Sequence, residues 1–566
     1  MAAASTGAWA PLASPVYRAL WIAQLVSNLG TWMQTVGAQW MLVSDPGAAV
    51  LVPLVQTATT LPVMLLALPS GVLADLTDRR RLLIATQSAM AAGVGMLAVL
   101  TGVGLATPAV LLILLFLIGC GQALTAPAWQ AIQPELVPRE QIPAAAALTS
   151  LSMNSARAIG PAVAGALVAV SGPTVVFALN AVSFIGIVAV LAWWQRPSEE
   201  RLLPTERPLS ALSAGRRYIR SSPVVRRILL RAVLFIAPAS ALWALLPVIA
   251  DRQLHLSSAG YGVLLGALGF GAVCGATVLS RLQLAFGRNA LLAVGAIGFA
   301  VAAAVLALVP VFAVAIVVLV LGGLSWLLTL STLNAAMQLS LPAWVRARGL
   351  SVYQLVFMGG QAVGSLVWGV VAGATGSVTA LVASAGLLAV CALTLLWWPL
   401  HPGTGDLDVE PSAHWGEPAL VFQPEPPDGP VVVLRSYQVD PADEAAFIEA
   451  MQRVGRSRQR TGAAQWGLFR SGEYANTFVE AFMVRSWEEH LHQHVTRQTG
   501  QDLLAEQAVE KYVVGEPTLQ HLIAVNPAGA APARLRPRLR RRRSAPAVAP
   551  PTNGPHNRSE NATDSG

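Results

Sequence analysis

The chain has 566 residues, of which 54% are hydrophobic and only 12% charged, with a mean hydropathy of +0.57 and a formal charge of +8. Soluble domains are about a quarter charged, so a chain this long and this apolar cannot cover its surface with polar groups in water, and a bilayer is the solvent it requires. The positive balance does not point to nucleic acid, because the arginines sit in short loops between apolar runs and in one tail rather than along one face. Cys120, Cys274 and Cys391 each lie inside an apolar run, with no spacing that would frame disulfides or a metal.

Twelve apolar runs approach or exceed the roughly 20 residues that a helix needs to cross a membrane. They span 17–43, 50–74, 82–102, 109–131, 143–170, 174–195, 228–250, 260–281, 289–308, 311–336, 350–374 and 378–398. The first run follows no charged n-region and is expected to act as an uncleaved signal. Arg79–Arg81, Arg139, the arginines from Arg196 to Arg227, Arg281 with Arg288, and Arg346 with Arg348 occupy alternate loops, whereas the loops between them hold only Arg252 and His255. The positive-inside rule then predicts an inner-membrane protein with both termini cytoplasmic.

A shift of 204 positions superposes Gly71 on Gly275, Pro138 on Pro342, Gly160 on Gly364, Gly165 on Gly369 and Trp193-Trp194 on Trp397-Trp398. A single repeat of this length implies a duplicated six-helix unit, an architecture in which the substrate site lies between the halves near the midplane. The reading places a first bundle at 1–200, a cytoplasmic linker at 201–227 with a short amphipathic helix around Leu212–Ile219, and a second bundle at 228–400. A Pro- and acid-rich linker at 401–429 leads to a soluble domain at 430–523, and a basic tail at 524–566 is expected to be disordered. Within the soluble domain, strand patterns at Val431–Val439, Ala464–Arg470, Thr477–Val484 and Thr518–Ile523 alternate with helical ones at Pro441–Gln459, capped by Asp440, and Ser486–Glu510. That order is the ferredoxin-like one. The fold class is therefore an all-α membrane protein of twelve helices in two six-helix pseudo-repeats, followed by a small α+β domain.

The sharpest motif, Gly71-Val72-Leu73-Ala74-Asp75-Leu76-Thr77-Asp78-Arg79-Arg80-Arg81, lies where the second span ends. The glycine permits close helix approach and the charges can form a latch that breaks as the halves rock. A generic positive stop is the plainer reading. This motif resembles the signature loop of the major facilitator superfamily. Ser27-Asn28-Leu29-Gly30-Thr31-Trp32-Met33-Gln34 and Ala126-Pro127-Ala128-Trp129-Gln130-Ala131-Ile132-Gln133-Pro134-Glu135-Leu136-Val137-Pro138 are similar to a subgroup of drug and siderophore exporters, that of the enterobactin exporters and transmembrane secretion effectors. The resemblance covers residues 16–400 and implies rocking-bundle alternating access and proton-driven export of a small organic molecule.

Ala158-Ile159-Gly160-Pro161-Ala162-Val163-Ala164-Gly165 resembles the Gly-Pro motif of exporter fifth helices, and is expected to pack on the other half near Gly360, Gly364 and Gly369. Arg157 is a mid-span charge, which belongs in a bundle interior or cavity, and Asn154 shares its face. Asn28, Trp32, Gln34, Gln56, Tyr353, Gln354 and Gln361 complete the candidate substrate cavity, with Trp243 as a second aromatic; an interfacial anchor is the competing role for each tryptophan. No acid lies at mid-span, so Asp45, Glu135 and Asp251, near the span ends, are the candidates for proton coupling.

The last domain resembles the dimeric ferredoxin-like domains of antibiotic-biosynthesis monooxygenases, through Arg458-Gln459-Arg460-Thr461-Gly462-Ala463, Trp466 and Ser486-Trp487-Glu488-Glu489-His490. This implies a regulatory or dimerising module. Trp487, His490, His492 and His494 invite a catalytic or metal reading, and His490 and His494 stand one helical turn apart, as metal ligands do, but no acid-plus-histidine set completes it and a solvated helix is the plainer reading. No cofactor is expected, and no phosphate-cradling Gly-x-x-x-x-Gly-Lys-Ser/Thr motif signals ATP drive. A membrane-tethered enzyme and a non-transporting sensor are the alternatives.

Overall fold

The computed structural model describes residues 9–194, 217–401 and 420–525, together with Thr404, Asp408, Glu410, Ser412 and Trp415 between the last two stretches. Of the amphipathic helix expected around Leu212–Ile219 only 217–219 are described, as helix, while part of the 401–429 linker and nearly all of the tail lie outside these residues.

The membrane part begins with α1 (Pro15–Val43), α2 (Ala48–Leu76), α3 (Arg79–Gly102) and α4 (Pro108–Leu136), and then a long bent α5 (Ile142–Trp193). It continues with α6 (Pro223–Arg252), α7 (Ser258–Ala285), α8 (Arg288–Leu308), α9 (Phe312–Leu339), α10 (Ala343–Thr375) and α11 (Ser377–Leu393). Several starts share one local chemistry. Ser14, Thr107 and Ser222 each precede a proline at the first helical position, and each hydroxyl accepts a hydrogen bond from the third amide of its helix. The side-chain oxygen satisfies an otherwise orphaned N–H, and the proline has none to lose.

Among the described residues nine helices are long and apolar enough to cross a membrane. α5 supplies two crossings, because its helical path breaks at Gly172, whose φ of 75° is left-handed. Only glycine adopts that conformation at little cost, so the chain reverses there without a loop. Gly376, at φ 91°, makes the same reversal between α10 and α11. The two glycines are 204 positions apart, the period of the internal repeat. α11 is shorter, at 17 residues, and α1 has full length but falls below the apolar threshold because it carries Gln24, Asn28, Gln34 and Gln39. These bring the crossings to twelve. Exposed Ile113, Leu117, Val170, Val182, Val294, Val317 and Val370 give the perimeter its apolar surface, whereas α6 is mostly buried and runs through the interior.

The soluble domain is a four-stranded antiparallel sheet of β1 (Val431–Gln438), β2 (Gln465–Arg470), β3 (Thr477–Val484) and β4 (Thr518–Ile523), in the order β2-β3-β1-β4. The helices α12 (Glu444–Thr461), α13 (Trp487–His492) and α14 (Gly500–Glu510) complete the β–α–β–β–α–β order. Two local expectations are corrected. Asp440 does not cap α12: its carboxylate accepts from Ala442 N at 2.9 Å in a turn that precedes the helix, and the N-cap position falls on Asp443. The helical stretch expected from Ser486 to Glu510 is broken. α13 runs into a π turn at Gln493–Arg497, and α14 restarts behind a reciprocal cap between Thr499 and Asp502. That cap supplies the start signal that uninterrupted apolar spacing had concealed.

Candidate functional site

The centre of the membrane part is a strip of aromatic rings that crosses from one half to the other. Trp32 of α1 faces Trp243 of α6 at 6.3 Å between ring centroids, and Trp243 meets Trp326 of α9 at 5.4 Å. Trp326 in turn contacts Phe235 and Phe299 at 5.6 and 5.7 Å and Phe357 of α10 at 6.2 Å. Arg157 of α5 lies over the Trp32 ring, 5.7 Å from its centroid, within the range of a cation–π contact. Trp32 and Trp243 therefore sit in the interior rather than at a membrane interface. The Trp243 indole N–H and the Tyr353 hydroxyl are buried and have no hydrogen-bond partner among the described residues. Buried donors left unsatisfied cost roughly 1–3 kcal/mol, so each is a place for water or a substrate oxygen.

The other expected cavity residues take several positions. Asn28 receives a hydrogen bond from Gln24 at 2.9 Å and donates to Ser152 of α5 at 3.1 Å. Gln34 is buried behind the strip and accepts from Asn180 at 2.6 Å, within its own half. Gln56 of α2 and Gln361 of α10 meet across the halves at 3.4 Å, next to the Thr57 hydroxyl that donates to Ala362 O at 3.0 Å. Asn154 turns back to Ser150 O, and Gln354 is exposed.

The halves are held together at the end of the bundle opposite the chain termini. A Cβ at Gly165 of α5 would stand 2.9 Å from Gly262 Cα, and one at Gly262 would stand 2.7 Å from Pro161 O. Two glycines thus let α5 and α7 approach backbone to backbone. The same end holds the Ser258 hydroxyl on Gly165 O at 3.1 Å, Tyr261 on Gln39 at 2.6 Å, and Arg252 on Asp45 O at 2.9 Å. The partner of the Gly165 segment is therefore α7, not the expected Gly360–Gly369 segment. Gly364 packs on Ala237 of α6, Gly369 on Pro53 of α2, and Gly160 on Trp32 within its own half. The duplicated symmetry explains the exchange, since it pairs α5 with α7 on one side of the interface and α2 with α10 on the other.

At the end that bears the termini, two of the described apolar clusters lie wholly within the first half. One contains Leu20, Leu83, Ile132 and Leu191, and another Tyr17, Val137, Ala145 and Leu148. Asp78 caps α3 by accepting from Arg81 N at 2.8 Å, and Arg80 donates to Leu191 O and Ala192 O at 2.7 and 2.9 Å, at the C-terminal end of α5. A cation there satisfies orphan carbonyls and complements the helix dipole. Gly71 has open space around it. The side chains of Asp75 and Glu135 lie outside the described residues, and Arg79 begins α3 beside Arg80. Asp45 and Asp251 both lie at the opposite end, where the Asp45 carboxylate accepts from Gly47 N at 2.7 Å.

Sequence reasoning passed over Arg231, which is 5% exposed on α6. It donates to Cys391 O, to Thr394 Oγ1 and O, and to Trp398 O, and so closes the end of α11. Its only sequence signal was a lone charge just inside an apolar run. The tyrosine of the far-end closure, Tyr261, carried none.

These geometries can be set beside known proteins. A profile of the family described as transmembrane secretion effector, a branch of the major facilitator superfamily, matches residues 6–528. The chain belongs to this family. It is similar to the enterobactin exporter of Citrobacter koseri, with 29% identity over 390 residues that cover 68% of this chain and 91% of that protein. Against the enterobactin exporter of Shigella boydii serotype 4 the identity is 28% over the same shares. Two solved structures share the fold: a bacterial homologue of the human lysosomal transporter Spinster (TM-score 0.57, 15% identity, 68% of this chain and 97% of that one) and the nucleoside transporter NupG (0.51, 13%, 68% and 98%). The protein is a multi-pass membrane protein and a secondary transporter rather than an enzyme, and the secretion effector profile extends through its soluble domain.

That domain is built around a buried ion network. Arg458 is 1% exposed and donates to Glu480 at 3.0 Å and Glu506 at 2.5 Å, while Tyr437 and Trp466 also donate to Glu480. Burial pulls the Arg458 pKa down, and the two carboxylates outweigh it and hold the pKa above its ordinary value. The domain docks on the membrane part through an Arg217–Glu489 ion pair and through Arg497, which bonds Glu489 at 3.1 Å and lies 5.1 Å from the ring of Trp344.

Proposed function

We propose that the protein exports a small, flat organic molecule carrying polar or anionic groups, of the siderophore or drug-like kind, from the cytoplasm across the inner membrane. The observation that carries this reading is the strip Trp32–Trp243–Trp326–Phe357 with Arg157 over its first ring. Aromatic faces suit a planar substrate, the guanidinium suits its acidic or phenolic oxygens, and two unpartnered donors stand ready for the rest. The similarity to enterobactin exporters supports export and that substrate class.

In this reading the termini are cytoplasmic, so the bundle is closed at the periplasmic end. Substrate enters from the cytoplasm, and the Asp75/Asp78/Arg79–Arg81 loop closes behind it as the Gly165–Gly262 contact opens. The domain boundaries are those set out from the sequence. Protons are the proposed coupling ion, with Asp45, Glu135 and Asp251 as their carriers, and the soluble domain is the proposed site of self-association.

The test is uptake of labelled siderophores and aromatic antibiotics into everted membrane vesicles energised by respiration, with and without a protonophore. Protonophore-sensitive accumulation that falls in Trp32→Ala and Arg157→Gln supports the proposal. Accumulation in right-side-out vesicles instead would reverse the direction, and indifference to both substitutions would move the substrate elsewhere.

A further inference from the structure

The pair His490 and His494 gains in the fold a third histidine that lies far away in sequence. His521 comes from β4, the edge strand, where it pairs with Val433 of β1. The ligating nitrogens of His490, His494 and His521 all lie within 4.8 Å of one another. His490 is fully buried, His494 nearly so, and His521 half-buried.

Three details distinguish this cluster from histidines used as core filling. First, the Nε2 atoms of His490 and His494 are 3.2 Å apart. Two nitrogens bound tetrahedrally at 2.0–2.1 Å from one zinc ion stand about 3.3 Å apart. Second, the Gln493 amide nitrogen contacts Arg458 O at 3.4 Å and Thr461 Oγ1 at 3.2 Å, which turns its oxygen toward His490 Nδ1 at 3.4 Å. A proton held on Nδ1 by that oxygen leaves the Nε2 lone pair facing the cluster, the arrangement that orients metal-bound imidazoles. Third, His521 Nε2 is buried and has no hydrogen-bond partner among the described residues. A purely structural His490–His494 hydrogen bond leaves that nitrogen unexplained.

The surroundings agree. Trp487 lies 5.3 Å from His490 and Trp415 4.7 Å from His494, forming an apolar wall. The positive charge of nearby Arg458 is already compensated by Glu480 and Glu506.

We propose that His490, His494 and His521 form a binding site for a late first-row divalent metal, zinc foremost, with the fourth position open. Three imidazoles without a carboxylate suit zinc, cobalt, nickel or copper, and not magnesium or calcium. The ligands also sit at the docking turn. Glu489, next to His490, pairs with Arg217, and Arg497, three residues beyond His494, covers Trp344. A metal at this place ties β4 to the turn through which the domain meets the transporter, whatever the central site carries.

The experiment uses the tag-free full-length protein in detergent, stripped with chelator and titrated with Zn2+ by calorimetry and with Co2+ by absorbance. We expect one metal per chain and the intense d–d bands of tetrahedral cobalt. Affinity should fall at least about 100-fold in His521→Gln and in His494→Gln, and stay unchanged in His492→Gln, a half-buried residue of the same turn outside the cluster. Thermal melts of the metal-free variants establish that they are folded. Absence of binding to the wild type, an octahedral cobalt spectrum, or equal affinity in folded His521→Gln overturns the assignment.

Discussion

Replacing Gly165 by alanine should open the bundle at the end far from the termini. The added methyl would meet the backbone of Gly262 at 2.9 Å as well as Ser258 O, and backbone cannot move aside as a flexible side chain does. Overpacking a close contact costs about 1–3 kcal/mol. Because the Gly165–Gly262 approach joins the two halves, this cost falls on the state that is closed at that end. Its population relative to the opposite state should drop about 5- to 150-fold. Spin labels at Ser44 and Ser257, both exposed at that end on opposite halves, would read the change as a longer component in their distance distribution. Gly386→Ala is the control, since a Cβ there meets nothing within 4 Å. An unchanged distribution together with unchanged transport would refute the idea that this contact holds the end shut.

Arg157→Gln should weaken anionic substrates more than neutral ones, by about 1.5–3 kcal/mol or roughly 10- to 150-fold in apparent affinity, the worth of a hydrogen bond between charged groups; competition in vesicle transport checks it. Arg231→Met should lower the melting temperature of the purified transporter, because the last carbonyls of α11 and Thr394 lose hydrogen bonds from a cation, at about 1.5–3 kcal/mol each. Arg458→Met should destabilise the soluble domain by about 3–5 kcal/mol, since Glu480 remains buried without its counter-charge and Glu506 keeps only Arg435; tryptophan fluorescence during denaturant unfolding reports it through Trp466. Glu489→Gln should loosen docking and speed limited proteolysis between the membrane part and the domain, with the transporter itself intact.

The twelve crossings were legible because a bilayer imposes one length on every span, and even the division of α5 fell between the runs 143–170 and 174–195. Arg157 was legible because a charge at mid-span is costly enough to stand out. Trp326 and Phe299 were not, since an aromatic residue in an apolar run looks the same whether it meets lipid or another ring. Only the packing of α6, α8, α9 and α10 assembles the strip. Which helix Gly165 would meet was also beyond reach, because the repeat makes several glycine-bearing helices equivalent in sequence and only the symmetry axis selects among them. In the soluble domain, His521 lies 27 positions after His494 and becomes its neighbour only through the pairing of β4 with β1.

The docking contacts have a mechanical consequence. Arg217 precedes α6 and Trp344 begins α10, while Leu400 is fastened to Asn289 and Thr404 to Arg288 at the start of α8. The soluble domain is thus strapped to the second half of the transporter and travels with it. When the halves tilt, it acts as a pointer that magnifies a small rotation into a larger displacement at its tip, where Tyr474 stands exposed. A fluorophore on that hairpin, paired with one on the first half, turns the transport cycle into an optical signal without a label touching the substrate path.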